Sequence, residues 1–240
     1  MKRSEKIARH IPDIRPQSYH SAKIRAYAAA YGHRYPNVAC SIYSGCGICA
    51  LIYNSDMVIC GRPHDEETFR SFADTFGEGK TIESGTLLPL DGWTRTDTSH
   101  MRGRVTGDDD GVRPADIYRM SAYIETVFGV PRDMWYTDMS HRVRHRISRV
   151  YECGGSYAAV DFQSFGTAYV SAVMSPGESG GRGNIRRILS RISRNYIIDL
   201  RCGSELVGLY EHLGLRRSGT HYMYNKLISA SYEYGSSRDR

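Results

Sequence analysis

The stretch Ser175–Ile192, SPGESGGRGNIRRILSRI, decides how the second half of this chain folds. Its first half holds four glycines and, taken alone, reads as a linker. Its second half places Ile185, Ile188, Leu189 and Ile192 at i, i+3, i+4 and i+7, one apolar helix face, with Arg186, Arg187, Arg191 and Arg194 mostly on the others. A linker does not carry that pattern. The glycines therefore stand where a strand hands over to a helix, at an end with unpaired N–H groups and about half a positive charge. Glycine lets an anion approach those donors, and Arg182 adds a cationic fork. No Gly-Lys-Ser/Thr follows, so the loop is not a Walker loop, and Gly181-Arg-Gly183 runs on to Arg186 rather than to the third glycine of a dinucleotide fingerprint. On these residues alone, a tight connection that binds nothing stays open.

Working outward, SYAAVDFQ and TAYVSAVMS read as strands joined at Ser164-Phe165-Gly166, a hairpin signal. Downstream come a strand, NYIIDLRC, a helix, SELVGLYEHLG, and a last strand near HYMYNK. The helix carries Leu206, Leu209, Tyr210 and Leu213 on one face and ends at Gly214. Upstream, residues 18–30 are alanine-rich and helical, and Val38–Cys60 is strand-like with a turn near Asn54-Ser55-Asp56. HDEETFRSFADTFG has acidic residues early, Phe69, Phe72 and Phe76 on one face, and Gly77 as a stop. Residues 80–90 read as a strand and the polar segment Asp91–Val112 as a long loop. Pro114 opens a helix with the stripe Ile117, Met120, Ile124 and Val127, closed by Gly129. Pro131 marks a joint, which divides the chain into residues 1–130 and 131–228, with residues 229–240 as a disordered tail. The order of elements indicates an α/β protein.

Length and composition set the outer bounds. The 240 residues suffice for one large domain or two small ones with a proper core. The formal net charge of +6 favours anionic partners without choosing among nucleic acid, membrane surface and phosphorylated cofactors. No long Lys/Arg block appears, which disfavours nucleic acid. No apolar run approaches a membrane span, and the basic N-terminus lacks the apolar core of a signal peptide, so the expectation is a cytoplasmic protein. Cys46-Gly-Ile-Cys49 has no second such pair and no histidine at ligand spacing; read as strand residues, its two thiols point to opposite faces and are structural. Asp138, His141 and His145 align on one helix side and read as a hydrogen-bonded cluster linking the two halves rather than a metal site.

Taken together, VMSP, then GGRGNIRRIL, then LYEHLGL resembles the carboxyl-terminal core of the GNAT superfamily of acyl-CoA-dependent N-acyltransferases. The resemblance covers residues 150–226, and WYTDMSHRVRHRIS extends it toward bacterial members whose amino-terminal half is a diverged GNAT-like lobe. It implies a mixed, mostly antiparallel central sheet flanked by helices, in two GNAT-like lobes. Ile188 and Leu189 match the family's paired aliphatics, and Leu209, Tyr210, Glu211, Leu213 and Gly214 match its second motif. The departures are Gly180 in place of Arg or Gln, Ile185 in place of Gly or Ala, Gly203 in place of Asn and Leu215 in place of Phe.

The resemblance further implies that the strand ending at Ser175 splays from the strand at 196–202. Acetyl-CoA would lie in that cleft, its pantetheine arm on the backbone of Val173, Met174 and Ser175 and its pyrophosphate on Gly180, Gly181, Arg182, Gly183 and Asn184. A backbone N–H there would polarise the thioester, a primary amine of a small molecule or peptide would attack it directly, and Tyr210 would protonate the leaving thiolate. Asp161, Glu152, His141 and His145 are candidates for the base. The departures at Gly180 and Ile185 keep a second class open, a GNAT-fold module that binds CoA or regulates without catalysis. A basic nucleic-acid-associated protein is the third.

Overall fold

The computed structural model describes residues 8–9, 18–31, 40–176 and 181–226; Gly180 and the expected tail at 229–240 lie outside the described residues. The first half runs β1 (Ala8–Arg9), α1 (Tyr19–Ala30), β2 (Cys40–Gly45), β3 (Ile48–Tyr53), β4 (Asp56–Gly61), α2 (Glu66–Phe76), β5 (Thr81–Ser84) and β6 (Thr94–Gly103). Then follow β7 (Arg113–Pro114), α3 (Ile117–Phe128), α4 (Arg132–Arg144), β8 (Arg149–Cys153), β9 (Ser156–Ser164), β10 (Thr167–Met174), α5 (Gly181–Ser193), β11 (Ile197–Cys202), α6 (Val207–His212) and β12 (Leu215–Asn225). Local chemistry explains the ends of the helices. Ser18 and Ser21 form a capping box on α1, Asp65 caps α2, Asp116 caps α3, and Gly129 closes α3 in the left-handed conformation.

The described strands form one sheet in the order β1-β2-β3-β4-β5-β12-β6-β11-β10-β9-β8-β7. Only β4/β5 and β10/β11 pair in parallel. Each parallel pair is bridged by a helix, α2 or α5, which gives the chain a topological repeat: β2-β3-β4-α2-β5 in the first half and β8-β9-β10-α5-β11 in the second. The repeat is not visible as residue identity. The strand that follows each unit crosses to the other. β6 pairs with β11, β12 pairs with β5, and β6 and β12 pair with each other between the two units.

One face of the sheet is covered by α2 and α5. Phe69, Phe72 and Ala73 pack on Ala50, Met57, Ile59 and Ile82, while Ile185, Ile188, Leu189 and Ile192 pack on Ala158, Val160, Val170 and Leu200. The other face carries α1, α3 and α4. The sheet rolls around α1. Lys23 Nζ lies 3.6 Å from Asp56 on β4, 3.5 Å from Glu83 on β5 and 3.8 Å from Asp161 on β9. In a flat sheet β4 and β9, six strand spacings apart, would be separated by roughly 29 Å.

Three expectations from sequence change here. The segment Asp91–Val112 is not a loop throughout: it contains β6, a ten-residue strand at the centre of the sheet. The expected strand at 80–90 is only Thr81–Ser84, because its register on β12 ends at Tyr222↔Ser84. Cys46 is not a strand residue but sits with Gly47 in a two-residue hairpin turn at φ 53° and 78°, where Cys46 Sγ meets the backbone N–H of Asp65 at 3.3 Å. Cys49 lies directly opposite Cys60 on the neighbouring strand. Residues 129–131, the expected boundary between halves, form the turn of the α3–α4 helical hairpin.

Candidate active site

The site is built by β10 and β11. Their parallel pairing runs from Thr167↔Ile197 to Val170↔Leu200 and stops, although β10 continues to Met174 and β11 to Cys202. The register of β10 on β9 slips at the same level, between Tyr169 and Val170 and between Val170 and Ala172, leaving Asp161 and Ser171 as extra residues. Such bulges bend a strand and end its pairing locally. The result is a slot between two strands whose backbone groups past Val170 and Leu200 do not satisfy each other.

At the mouth of the slot β10 delivers the chain to α5. Val173 is half-buried, Met174 buried and Ser175 exposed. Ser175 Oγ lies 2.9 Å from Ser156 Oγ. Gly181 opens α5 and lies against Ser175; a Cβ there would stand 2.8 Å from Ser175 Cβ, so this glycine is required by close approach. Gly183 faces open space, and Arg182 is exposed with no ion pair among the described residues. These features fit an anion at the first turn of α5. Asn184 is turned elsewhere: its Nδ2 donates to the Gly154 carbonyl at 3.1 Å, strapping α5 to the β8–β9 turn. Ile185, the residue that departs from the family pattern, is buried in the core beneath the helix.

Tyr210 packs in the same core as α5, near Cys202 at the end of β11. Burial, and then the Cys202 thiol, push its phenol up to about 12. Its hydroxyl makes no hydrogen bond among the described residues, so it carries a proton with no committed acceptor.

The four candidate bases are dispersed and engaged. Glu152 is held by Arg113, with Nε donating at 2.6 Å. Asp161, placed by its bulge on the α1 side, is paired with Lys23 and Arg142. His141 Nδ1 lies 3.0 Å from the Tyr31 hydroxyl, and the His145 ring packs on both. Asp138 accepts from Tyr53 at 2.7 Å and Asn54 at 3.0 Å, which ties α4 to the first half.

Sequence reasoning missed a buried polar network on the α1 face. Arg201, the first β11 residue beyond the last β10/β11 pair, donates to Glu83 at 2.9 Å and to His221 Nε2 at 2.7 Å. Arginine is donor-only, so His221 carries its proton on Nδ1 and gives it to His20 Nε2 at 3.1 Å. Burial holds both imidazoles neutral, His20 down to about 3 and His221 to about 2. Burial alone would raise Glu83, but Arg201 and Lys23 override it and hold the carboxyl well below its ordinary range. Further along, Arg102 donates to Asp199 Oδ2 at 3.0 Å, while Asp199 Oδ1 and His100 Nε2 face each other at 3.6 Å without a hydrogen bond. The only signal available in the sequence was the run of buried-size residues Tyr19, His20 and Lys23 in an otherwise alanine-rich helix.

Among the described residues, the groups close enough to share an ion are Asp108, Asp109 and Asp110 alone; Asp108 is paired with Arg187 and Asp109 with Arg191, both on α5, and Asp109 also with Arg194 just past its end. No described helix is long and apolar enough to cross a membrane.

A parallel strand pair that parts at a bulge, followed by a helix whose first turn opens on that gap, is the arrangement of the GNAT fold, and this chain has that fold. Among its solved neighbours are several GNAT-family proteins. A GCN5-related N-acetyltransferase from Kribbella flavida aligns at TM-score 0.55 and 12% identity, covering 86% of this chain and 93% of that one. A second, from Sphaerobacter thermophilus, aligns at TM-score 0.54 and 10% identity over 92% and 94%. A tandem GNAT protein from the clavulanic acid biosynthesis pathway, solved without acetyl-CoA, aligns at TM-score 0.50 and 10% identity over 92% and 98%. At such identities the likeness shows the fold alone. The sequence matches no family model and no curated protein.

Proposed function

We propose that the protein is an N-acetyltransferase that uses acetyl-CoA as co-substrate on a primary amine of a small molecule or peptide, with residues 1–130 as a diverged lobe of the same fold. The observation that carries this reading is the slot beyond Val170 and Leu200, where β10 and β11 continue without pairing. Acetyl-CoA supplies a thioester whose carbonyl is open to attack. Backbone N–H groups of Val173 to Ser175 hold the pantetheine arm in the slot, and Gly181, Arg182 and Gly183 receive the pyrophosphate. The acceptor nitrogen, as the free amine, forms a bond to the carbonyl carbon, the carbon–sulfur bond breaks, the departing thiolate takes the Tyr210 proton, and the proton that the nitrogen sheds returns through solvent to the Tyr210 phenolate. A phenol raised to about 12 is fully protonated at neutral pH and is therefore available as the acid.

Differential scanning fluorimetry with acetyl-CoA, coupled to a free-thiol turnover assay, tests the reading. At 100 times Kd the ligand stabilises the fold by about 2.7 kcal/mol. Tyr210→Phe is expected to lower kcat by about a hundredfold or more with binding unchanged. No thermal shift at millimolar acetyl-CoA overturns the proposal. The second reading, a CoA-binding module without catalysis, is favoured by the commitment of Asn184 to Gly154; a thermal shift without thiol release for any amine would select it.

A further inference from the structure

A cleft of about 940 Å³ lies on the α1 side of the sheet, between α4, the C-terminal part of α1 and the β3–β4 turn. Four carboxylates line it: Asp56 at the start of β4, Asp133 and Asp138 on α4, and Asp161 on the β9 bulge. The cations that face them are Arg142, which is paired with Asp138 and Asp161, and Lys23 behind the wall, which lies 3.6 Å from Asp56 and 3.8 Å from Asp161. Four carboxylates against two cations leave a surplus of two negative charges, in a protein whose formal net charge is +6. The His141 imidazole on the rim is lowered by burial and adds no charge at neutral pH.

Not all of that negative charge is used internally. Asp138 is fixed by Tyr53, Asn54 and Arg142. Asp56 has only Lys23, and its side chain is 38% exposed. Asp133 is exposed and makes no hydrogen bond or ion pair among the described residues. Between the carboxylates the wall is aromatic and apolar, formed by Tyr27, Tyr53 and Trp135. Acidic ends separated by aromatic faces are complementary to ammonium groups separated by a hydrocarbon chain, through ion pairing at the ends and cation–π and apolar contact between.

The cleft also abuts the slot. Asp161 lies on the strand next to β10, between Val160, which pairs with Val170, and Phe162, which pairs with Tyr169. That is the level at which the β10/β11 pairing ends, about two strand spacings, or roughly 10 Å, from the gap. Its walls come from both halves of the chain, so the cleft exists only when the two units are docked.

We infer that this cleft binds a small aliphatic amine carrying two or more ammonium groups, and that this polyamine-type cation is the acceptor. The second clause rests on the acetyltransferase reading; the binding itself does not.

The test is isothermal titration in low salt, without acetyl-CoA, of spermidine, 1,4-diaminobutane, butylamine and 1,4-butanediol, with Trp135 emission followed in parallel. Spermidine is expected to bind at least tenfold more tightly than butylamine, and the diol not at all. Asp133→Asn, at an exposed and unpartnered position, is expected to weaken spermidine about fivefold and to leave the acetyl-CoA thermal shift unchanged. Equal affinity for spermidine and butylamine, no binding of spermidine at 5 mM (on the order of a very weak small-ligand Kd), or an Asp133→Asn variant that binds as the parent does overturns the inference. Because these titrations contain no acetyl-CoA, their failure leaves the acetyltransferase reading standing, and a missing acetyl-CoA shift leaves a positive titration standing.

Discussion

Mild acid is expected to loosen this fold through two imidazoles. His20 and His221 are buried side by side, their rings stacked at 5.0 Å, and burial holds them down to about 3 and about 2. In the unfolded chain each titrates near the ordinary value of about 6.5. The unfolded state therefore binds more protons below that value, so the stabilising contribution is complete above pH 6.5 and is lost as pH falls. Each histidine contributes about 1.4 kcal/mol of loss by pH 5.5 and almost none at pH 7.5, so the pair removes roughly 2.7 kcal/mol across that interval. His100, also lowered by burial, acts in the same direction. Asp56 and Asp199, which burial raises, act in the opposite one, gaining stability as they protonate. Urea unfolding followed by circular dichroism at pH 7.5, 6.5 and 5.5 measures the loss. His20→Phe removes one titrating ring and should halve the two-histidine part, whatever it does to stability at pH 7.5. A free energy of unfolding that is flat within about 0.5 kcal/mol over this range would refute the reasoning.

Three further substitutions probe the charge cluster at Lys23 and the packing at the slot. Lys23→Met leaves Asp56, Glu83 and Asp161 without their shared ammonium and should destabilise the protein by about 3–5 kcal/mol; a loss below about 1 kcal/mol would show the three carboxylates to be otherwise compensated. Gly181→Ala places a methyl against Ser175 and should cost about 1–3 kcal/mol and weaken acetyl-CoA; the same substitution at Gly183, which faces open space, should be nearly neutral for folding when melting temperatures are compared.

What could be read in the sequence depended on whether a local pattern carried the information. The faces of α2, α3 and α5 were legible because Phe69/Phe72, Met120/Ile124 and Ile185/Ile188/Leu189 recur at helical spacing, although Phe76 and Val127, expected on the same faces, are exposed near the helix ends. The hairpin at Phe165-Gly166 was legible because glycine marks the turn. β6 was not, because TRTDTSHMRG alternates among polar residues: its first four positions are exposed, and only Ser99 and Met101 are buried. The turn at Cys46 was hidden because cysteine seldom takes positive φ. In the site, the glycines could be singled out by their place before a helix and Tyr210 by the resemblance of its motif, whereas Glu83, Arg201, His221 and His20 come from four elements far apart in the chain and meet only once the sheet has rolled.

The crossing of β6 and β12 bears on synthesis. When the ribosome has released β6, the first unit still lacks the strand that lies between β5 and β6, since β12 ends at residue 225. Until then β5 and β6 each present an open hydrogen-bonding edge, and an unpaired edge invites pairing with another chain. The first half thus cannot finish folding as it emerges; it must wait until β12 has been made, and the nascent protein spends that interval at its most exposed to chaperones and to aggregation.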